Sequence, residues 1–170
     1  MTADAETIWA QAVERIREEV PAGTFNLWFS EVHASDVDPA ATRCAERNLG
    51  SSGSVSTGDL YDALPASLRG RVDVLAANAP YVPTATIATM PREARDHEAR
   101  VALDGGSDGL DLQRRIAREA PAWLSPHGRV LVETSEAQAE STAELLREAG
   151  LRVRTLRSRA LDATVVLGRR

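Results

Sequence analysis

The chain has 170 residues, 43% of them hydrophobic, with a formal net charge of −5 and one cysteine. That length and apolar content suit one domain of ordinary size with a core. The acidic balance and the lack of a basic tract argue against nucleic acid as a direct ligand. Cys44 alone excludes an internal disulfide, no apolar run reaches the length of a membrane span, and Met1-Thr2-Ala3-Asp4-Ala5-Glu6 has the opposite charge to a secretory leader; together these imply a cytoplasmic chain.

Taken in order, the pattern begins with an amphipathic helix over Thr7–Val20, where Ile8, Ala12, Val13, Ile16 and Val20 fall at helical spacing. Pro21 stops or kinks it, and Thr24-Phe25-Asn26-Leu27-Trp28-Phe29 supplies a second apolar cluster. From residue 32 onward strands and helices alternate. A strand is expected near Val32–Ser35, a helix near Pro39–Asn48, a turn at Gly50–Ser54 and a short strand near Val55–Thr57. Arg71–Ala77 reads as a buried strand followed by a long loop to Asp108, within which Met90–His97 forms one or two helical turns. A helix over Leu110–Leu124 has Asp108 or Gly109 near its cap and Pro126 beyond its end. Arg129–Glu133 is a strand, Glu136–Ala149 a helix closed by Gly150, and Leu151–Leu156 and Ala163–Leu167 an antiparallel pair. Such alternation predicts an α/β fold with helices on both faces of the sheet. His33, His97 and His127 have no ligand spacing, so no metal site is expected.

The stretch with the most chemistry is Asn78-Ala79-Pro80-Tyr81, at the C-terminal end of the expected strand through Ala77. The Asn78 carboxamide can donate and accept, the carbonyls of Ala79 and Pro80 can receive N–H groups, and Tyr81 can stack. Those groups suit a flat, uncharged amide or amine. A plain Pro turn after a strand is the alternative.

Asn78–Tyr81 resembles the Asn-Pro-Pro-Tyr motif of amino-methyltransferases. The run from Val32 to Arg170 resembles the HemK/PrmC family of protein glutamine methyltransferases, which modify peptide-chain release factors. Four further blocks carry the likeness in order: Val32–Ala41, Gly58–Leu64, Glu98–Leu110 and Leu131–Gln138. Ala79 stands where most of the family has Pro, a change that keeps the carbonyl and frees φ. The resemblance implies a class I methyltransferase-like (Rossmann-like) α/β sheet with an antiparallel terminal strand, S-adenosylmethionine as cofactor and a protein substrate such as a release factor. It also implies roles. Asn78, Ala79, Pro80 and Tyr81 would hold the glutamine amide. Asp36 would take the ribose hydroxyls, Asp59 the adenine amine, and Leu60 would pack on the ring. From the residues alone, Asp36 also reads as a helix cap and Asp59 as a turn residue, with Asp38 the better cap because Pro39 follows it. Glu133 and Gln138 stand in family-like positions, Glu133 to shape the pocket.

Residues Ile8 to Phe29 resemble the start of the interaction domain of the bacterial replication initiator DnaA, so the chain reads as residues 1–31, a helical segment, and 32–170, a methyltransferase-like domain. No strand, Gly-rich turn and helix of the kind that encloses the methionine part of the cofactor is found before Val32. The first strand of the sheet is therefore expected to be missing or replaced, the cofactor to bind weakly or not at all, and methyl transfer to be close to undetectable. A sheet without that strand closes up, recruits another segment or pairs with another chain as a homo-oligomer. A non-catalytic interaction module using the N-terminal helix is the second reading.

Overall fold

The computed structural model describes residues 31–90, 100–159 and 161–170. The chain divides into two compact units, at residues 65 and 66. The helix expected over Thr7–Val20, the DnaA-like start and most of the Met90–His97 turn lie outside the described residues.

In the first unit, strand β1 (His33–Asp36) pairs in parallel with β2 (Ser54–Thr57), joined by helix α1 (Pro39–Leu49). The crossover is local and its caps are explicit. Asp38 is the N-cap, its carboxylate accepting from the Ala40 amide at 2.7 Å, and Pro39 opens the helix, where a missing N–H costs nothing. Buried Thr42 bonds Thr57 Oγ1 at 2.8 Å and pins α1 to β2. Asp38→Ala is expected to cost about 1 kcal/mol, read as a lower Tm, because the first turn loses its only side-chain acceptor.

In the second unit, β3 (Val72–Ala77), β4 (Leu124–Thr134), β5 (Arg152–Ser158) and β6 (Ala163–Arg169) form one sheet in the order β3-β4-β6-β5. β3 runs parallel to β4, while β6 runs antiparallel to both β4 and β5. Three strands thus share a direction, and the last strand inserts against them. Among the described residues three helices belong here: α2 (Arg100–Leu103), α3 (Asp111–Trp123) and α4 (Ala139–Glu148). α3 contributes Ile116, Ala117, Ala120 and Trp123 to the core; α4 contributes Ala139, Ala143 and Leu146; β4 and β6 supply Val130, Leu131, Val132, Val165, Val166 and Leu167. A buried polar knot binds the three elements. Gln113 of α3 donates to Thr134 at 3.3 Å, and Thr142 of α4 donates to Gln113 Oε1 at 2.5 Å. It also places α3 and α4 on the same face of this unit's sheet.

Several boundaries differ from the sequence reading. Leu124 opens β4 directly after α3, so Pro126, beyond the helix end as expected, lies within the strand. The register jumps there, from Val72↔Leu124 to Val74↔Arg129, so residues 125–128 bulge out of the ladder and Pro126 removes no ladder bond. Gly128 permits the bulge: a Cβ would stand 2.6 Å from the Val72 carbonyl oxygen. The N-cap of α3 is Leu110, without a side-chain cap of its own, and Asp108 and Gly109 stand just before it, Asp108 Oδ1 accepting from Leu110 N at 3.1 Å. β3 is not the buried strand its apolar run suggested. Asp73 and Ala76 are exposed and its other residues half-buried, because among the described residues it pairs only with β4 and forms a sheet edge. α2 and the 3₁₀ segment Thr84–Thr89 occupy what read as loop.

Candidate functional site

β3 ends at Ala77, so Asn78 is the first residue past the strand, at the C-terminal edge of the sheet where α/β folds hold ligands. Asn78 is exposed, Ala79 is 7% exposed, and Pro80 and Tyr81 are half-buried. The chain then doubles against a second loop far along the sequence. Val82 N donates to Leu103 O at 3.0 Å, Gly105 N to Val82 O at 2.9 Å and Thr84 N to Gly106 O at 2.9 Å. Asp104 tightens the same zip by accepting from the Thr84 hydroxyl at 2.6 Å and the Gly106 amide at 3.1 Å. These two donors, with Arg100 nearby, hold the Asp104 carboxyl below its ordinary value.

Two glycines make the approach possible. A Cβ on Gly105 would stand 2.8 Å from the Pro80 carbonyl oxygen and 2.7 Å from the Gly109 oxygen. A Cβ on Gly109, whose φ is +79°, would stand 2.3 Å from both the Tyr81 oxygen and Gln138 Nε2. Asp108, between them, is bound by the Arg114 guanidinium, which brings its carboxyl down to about 2. Gln138, at the end of the 3₁₀ turn after β4, donates to Tyr81 O and to Asp108 O, each at 3.0 Å. The structure thus brings Asn78–Tyr81, Gly105–Gly109 and Gln138 into one hydrogen-bonded cluster.

Glu133 stands beside this cluster. The last β3–β4 pair is Ala77↔Val132, so Asn78 and Glu133 follow side by side at the strand ends. Thr134 faces α3 and α4, so Glu133 faces the opposite side of the sheet. It is 8% exposed, its Oε2 finds no partner among the described residues, and burial raises its carboxyl above the ordinary value. A carboxyl raised on folding is neutral in both states at low pH. Stability is lost as pH rises past the ordinary carboxylate value and the unfolded chain ionises first, until the folded group also ionises. Glu133→Gln is therefore expected to raise Tm relative to wild type at pH 7 and to lose that advantage near pH 3. Each kcal/mol of penalty removed is worth about 2–4 °C in a chain of this size. Thermal melts of both proteins at the two pH values check this.

In the first unit, Asp36 is the exposed last residue of β1, and its Oδ1 accepts from Asp38 N at 2.8 Å. The helix cap is Asp38, so Asp36 is not needed there. Gly58 N donates to Asp36 O at 2.9 Å, which brings Asp36 beside the Gly58-Asp59 corner. Asp59 is exposed and gives no side-chain cap to the 3₁₀ turn Leu60–Ala63 that follows. Leu60 is half-buried with φ +46°, a left-handed backbone that a Leu adopts only where the surrounding fold imposes it. Two exposed carboxylates and a forced apolar side chain at one corner fit the hydroxyls, amine and flat ring of an adenine nucleoside.

No family model matches the chain. It is 37% identical to the release factor glutamine methyltransferase of Geobacter sulfurreducens, over 71% of this chain and 43% of that protein. It is 40% identical to the ribosomal protein uL3 glutamine methyltransferase of Bordetella pertussis, over 61% of this chain and 35% of that one. The chain thus spans less than half the length of these relatives. Among solved structures it is similar to a methyltransferase from Pyrococcus furiosus, with a TM-score of 0.59 at 15% identity, covering 93% of this chain and 68% of that one. The fold is class I methyltransferase-like, as the resemblance implied. Over the stretch they share, this chain is a homologue of the release factor glutamine methyltransferases.

Proposed function

We propose that the chain carries the amide-binding site of an S-adenosylmethionine-dependent protein glutamine methyltransferase, with a release factor as substrate and Asn78, Ala79, Pro80 and Tyr81 as the residues that hold the glutamine. The observation that carries the reading is the Asn78–Tyr81 loop at the C-terminal end of β3, with the Pro80 carbonyl oxygen set against Gly105 where no Cβ would fit. The homology to glutamine methyltransferases supports the substrate class.

An amide nitrogen is a poor nucleophile because its lone pair is delocalised into the carbonyl. The Asn78 carboxamide pairs with the substrate amide and fixes its plane, and the Ala79 and Pro80 carbonyls accept its N–H groups. As the N–C bond forms, charge builds on nitrogen and those N–H bonds strengthen, so the acceptors favour the transition state over the ground state. Tyr81 covers the flat face and limits rotation. Asp36, Asp59 and Leu60 would hold the ribose and adenine of the cofactor, which supplies an electrophilic methyl group on a sulfonium. With the cofactor bound, its sulfonium–methyl bond would break as the N–C bond forms, the neutral thioether would leave with that electron pair and the amide proton would pass to solvent, so alignment of the nitrogen with the methyl group would be the larger part of the rate gain.

The test is a long incubation of the purified chain with radiolabelled S-adenosylmethionine at millimolar concentration and a release factor, with mass spectrometry of the product. Saturating cofactor matters because weak affinity is expected. A slow gain of one methyl group on a glutamine supports the reading. A folded sample with no label at saturating cofactor refutes it. Label appearing on ribosomal protein uL3 but not on the release factor moves the substrate while keeping the chemistry.

A further inference from the structure

Ser135-Glu136-Ala137-Gln138 has the sequence of a capping box, in which a Ser or Thr is followed three residues later by Glu or Gln. Half of the box forms in the usual way: Gln138 N donates to Ser135 Oγ at 3.2 Å. The other half does not. In a capping box the Gln side chain turns back to the backbone N–H of the cap residue. Here Gln138 Oε1 accepts instead from the Ser135 hydroxyl, at 2.7 Å. The Nε2 end is thereby turned outward, and both of its hydrogens go to backbone carbonyls on other loops, Tyr81 O and Asp108 O at 3.0 Å each. These loops lie 57 and 30 residues away in sequence. A helix-start signal has been diverted to a different task.

We propose that Gln138, seated by Ser135, is the positioning residue that sets the Asn78–Tyr81 loop against the Gly105–Gly109 loop and so holds the Pro80 carbonyl in place to receive an amide. This rests on reading that loop as the amide-binding site. The chemistry suits a neutral carboxamide and little else. Two carbonyl oxygens aimed at one point need two N–H donors there. A carboxylate offers only acceptors and repels both, an aliphatic side chain satisfies neither, and a Lys ammonium cannot also accept the Ser135 hydroxyl. Both carbonyls belong to loops with no strand to fix them, so the clamp is the link that refers them to β4 and α4. Gly109 shows how tightly the junction is built, since any side chain there would occupy the space of the Gln138 amide and the Tyr81 oxygen.

The test uses the full chain with Gln138→Leu, Gln138→Glu and Ser135→Ala. Backbone amide exchange by NMR gives a readout that needs no enzymatic activity. In Gln138→Leu the amides of Val82, Thr84 and Gly105 are expected to exchange at least about tenfold faster, while those of Val132 and Val166 in the sheet stay within twofold. Gln138→Glu should be the more severe at pH 7 and recover in part as acid protonates the new carboxyl and restores one donor. Ser135→Ala, which removes only the anchor of Oε1, should fall between wild type and Gln138→Leu. With cofactor and release factor added, Gln138→Leu should lower kcat with KM for S-adenosylmethionine unchanged. Exchange at Val82, Thr84 and Gly105 that stays at wild-type rates, or a uniform rise across the sheet as well, overturns the proposal. A wild-type chain that transfers no methyl group defeats the functional reading, while the exchange pattern still decides whether Gln138 is the clamp.

Discussion

Asn78→Ala is expected to lower methyl transfer to a glutamine side chain by at least about a hundredfold while leaving Tm and affinity for S-adenosylmethionine unchanged. The two halves of that expectation come from different observations. Asn78 is exposed and lies just past β3, so truncating it removes no core contact and opens no cavity. Its stability cost should be within the roughly 0.5 kcal/mol typical of surface positions. The proposed cofactor contacts, Asp36, Asp59 and Leu60, are all retained in this variant, so affinity for the cofactor should hold. What the substitution removes is the loop's one carboxamide, the group that can pair with an amide by donating and accepting in the same plane. Losing one preorganised polar contact to developing charge typically costs 10²–10³ in rate, or about 2.7–4 kcal/mol. Asn78→Asp sharpens the test, because it keeps the size and the acceptor but removes the donor and adds a charge where the amide carbonyl should sit. It should be no better than Asn78→Ala. Equal transfer by wild type and Asn78→Ala, measured at saturating cofactor, would remove this loop from the chemistry.

How much of this was legible in the sequence follows from the range of each interaction. The Asp38 cap, Pro39 at the helix start, Gly150 after α4 and the antiparallel β5–β6 pair are local events, set by residues a few positions apart, and the sequence pattern predicted them. Asn78 fell at the strand end because the apolar run stops there. The start of β4 was hidden because Ser125-Pro126-His127-Gly128 carries no period-two alternation, and only the bulge reconciles it with a strand. β3 read as buried because its apolar run cannot tell a central strand from an edge. The cluster around the site was the least legible. Its zip between residues 82–84 and 103–106 is made of backbone groups, which every residue carries, so no side-chain pattern marks it. Glycines at 105, 106 and 109 were the available signal, since a run so rich in glycine implies close approach or left-handed backbone. Gln138 was marked only by its family-like position, because only the fold brings Tyr81 and Asp108 to it.

Gly109→Ala is expected to be among the most destabilising single substitutions in the second unit, costing about 2–4 kcal/mol and lowering Tm by roughly 5–15 °C. Two costs add at this position. The first is conformational: φ is +79°, and a Cβ in the left-handed region costs about 1–2 kcal/mol. The second is crowding, since the Cβ would lie 2.3 Å from Tyr81 O and 2.3 Å from Gln138 Nε2. The amide end of Gln138 can retreat, but the Tyr81 oxygen is backbone, directly before the zip that starts at Val82. Gly150→Ala separates the two costs. Its φ of +83° imposes a similar conformational penalty, yet a Cβ there meets nothing within 4 Å. The excess of Gly109→Ala over Gly150→Ala in a denaturant titration therefore measures the crowding alone. Adding Gln138→Ala to Gly109→Ala should recover only part of that excess, because the Tyr81 oxygen remains in the way. Equal losses for the two glycines would mean that Gly109 serves its own backbone geometry, and that the approach of the two loops tolerates a methyl group.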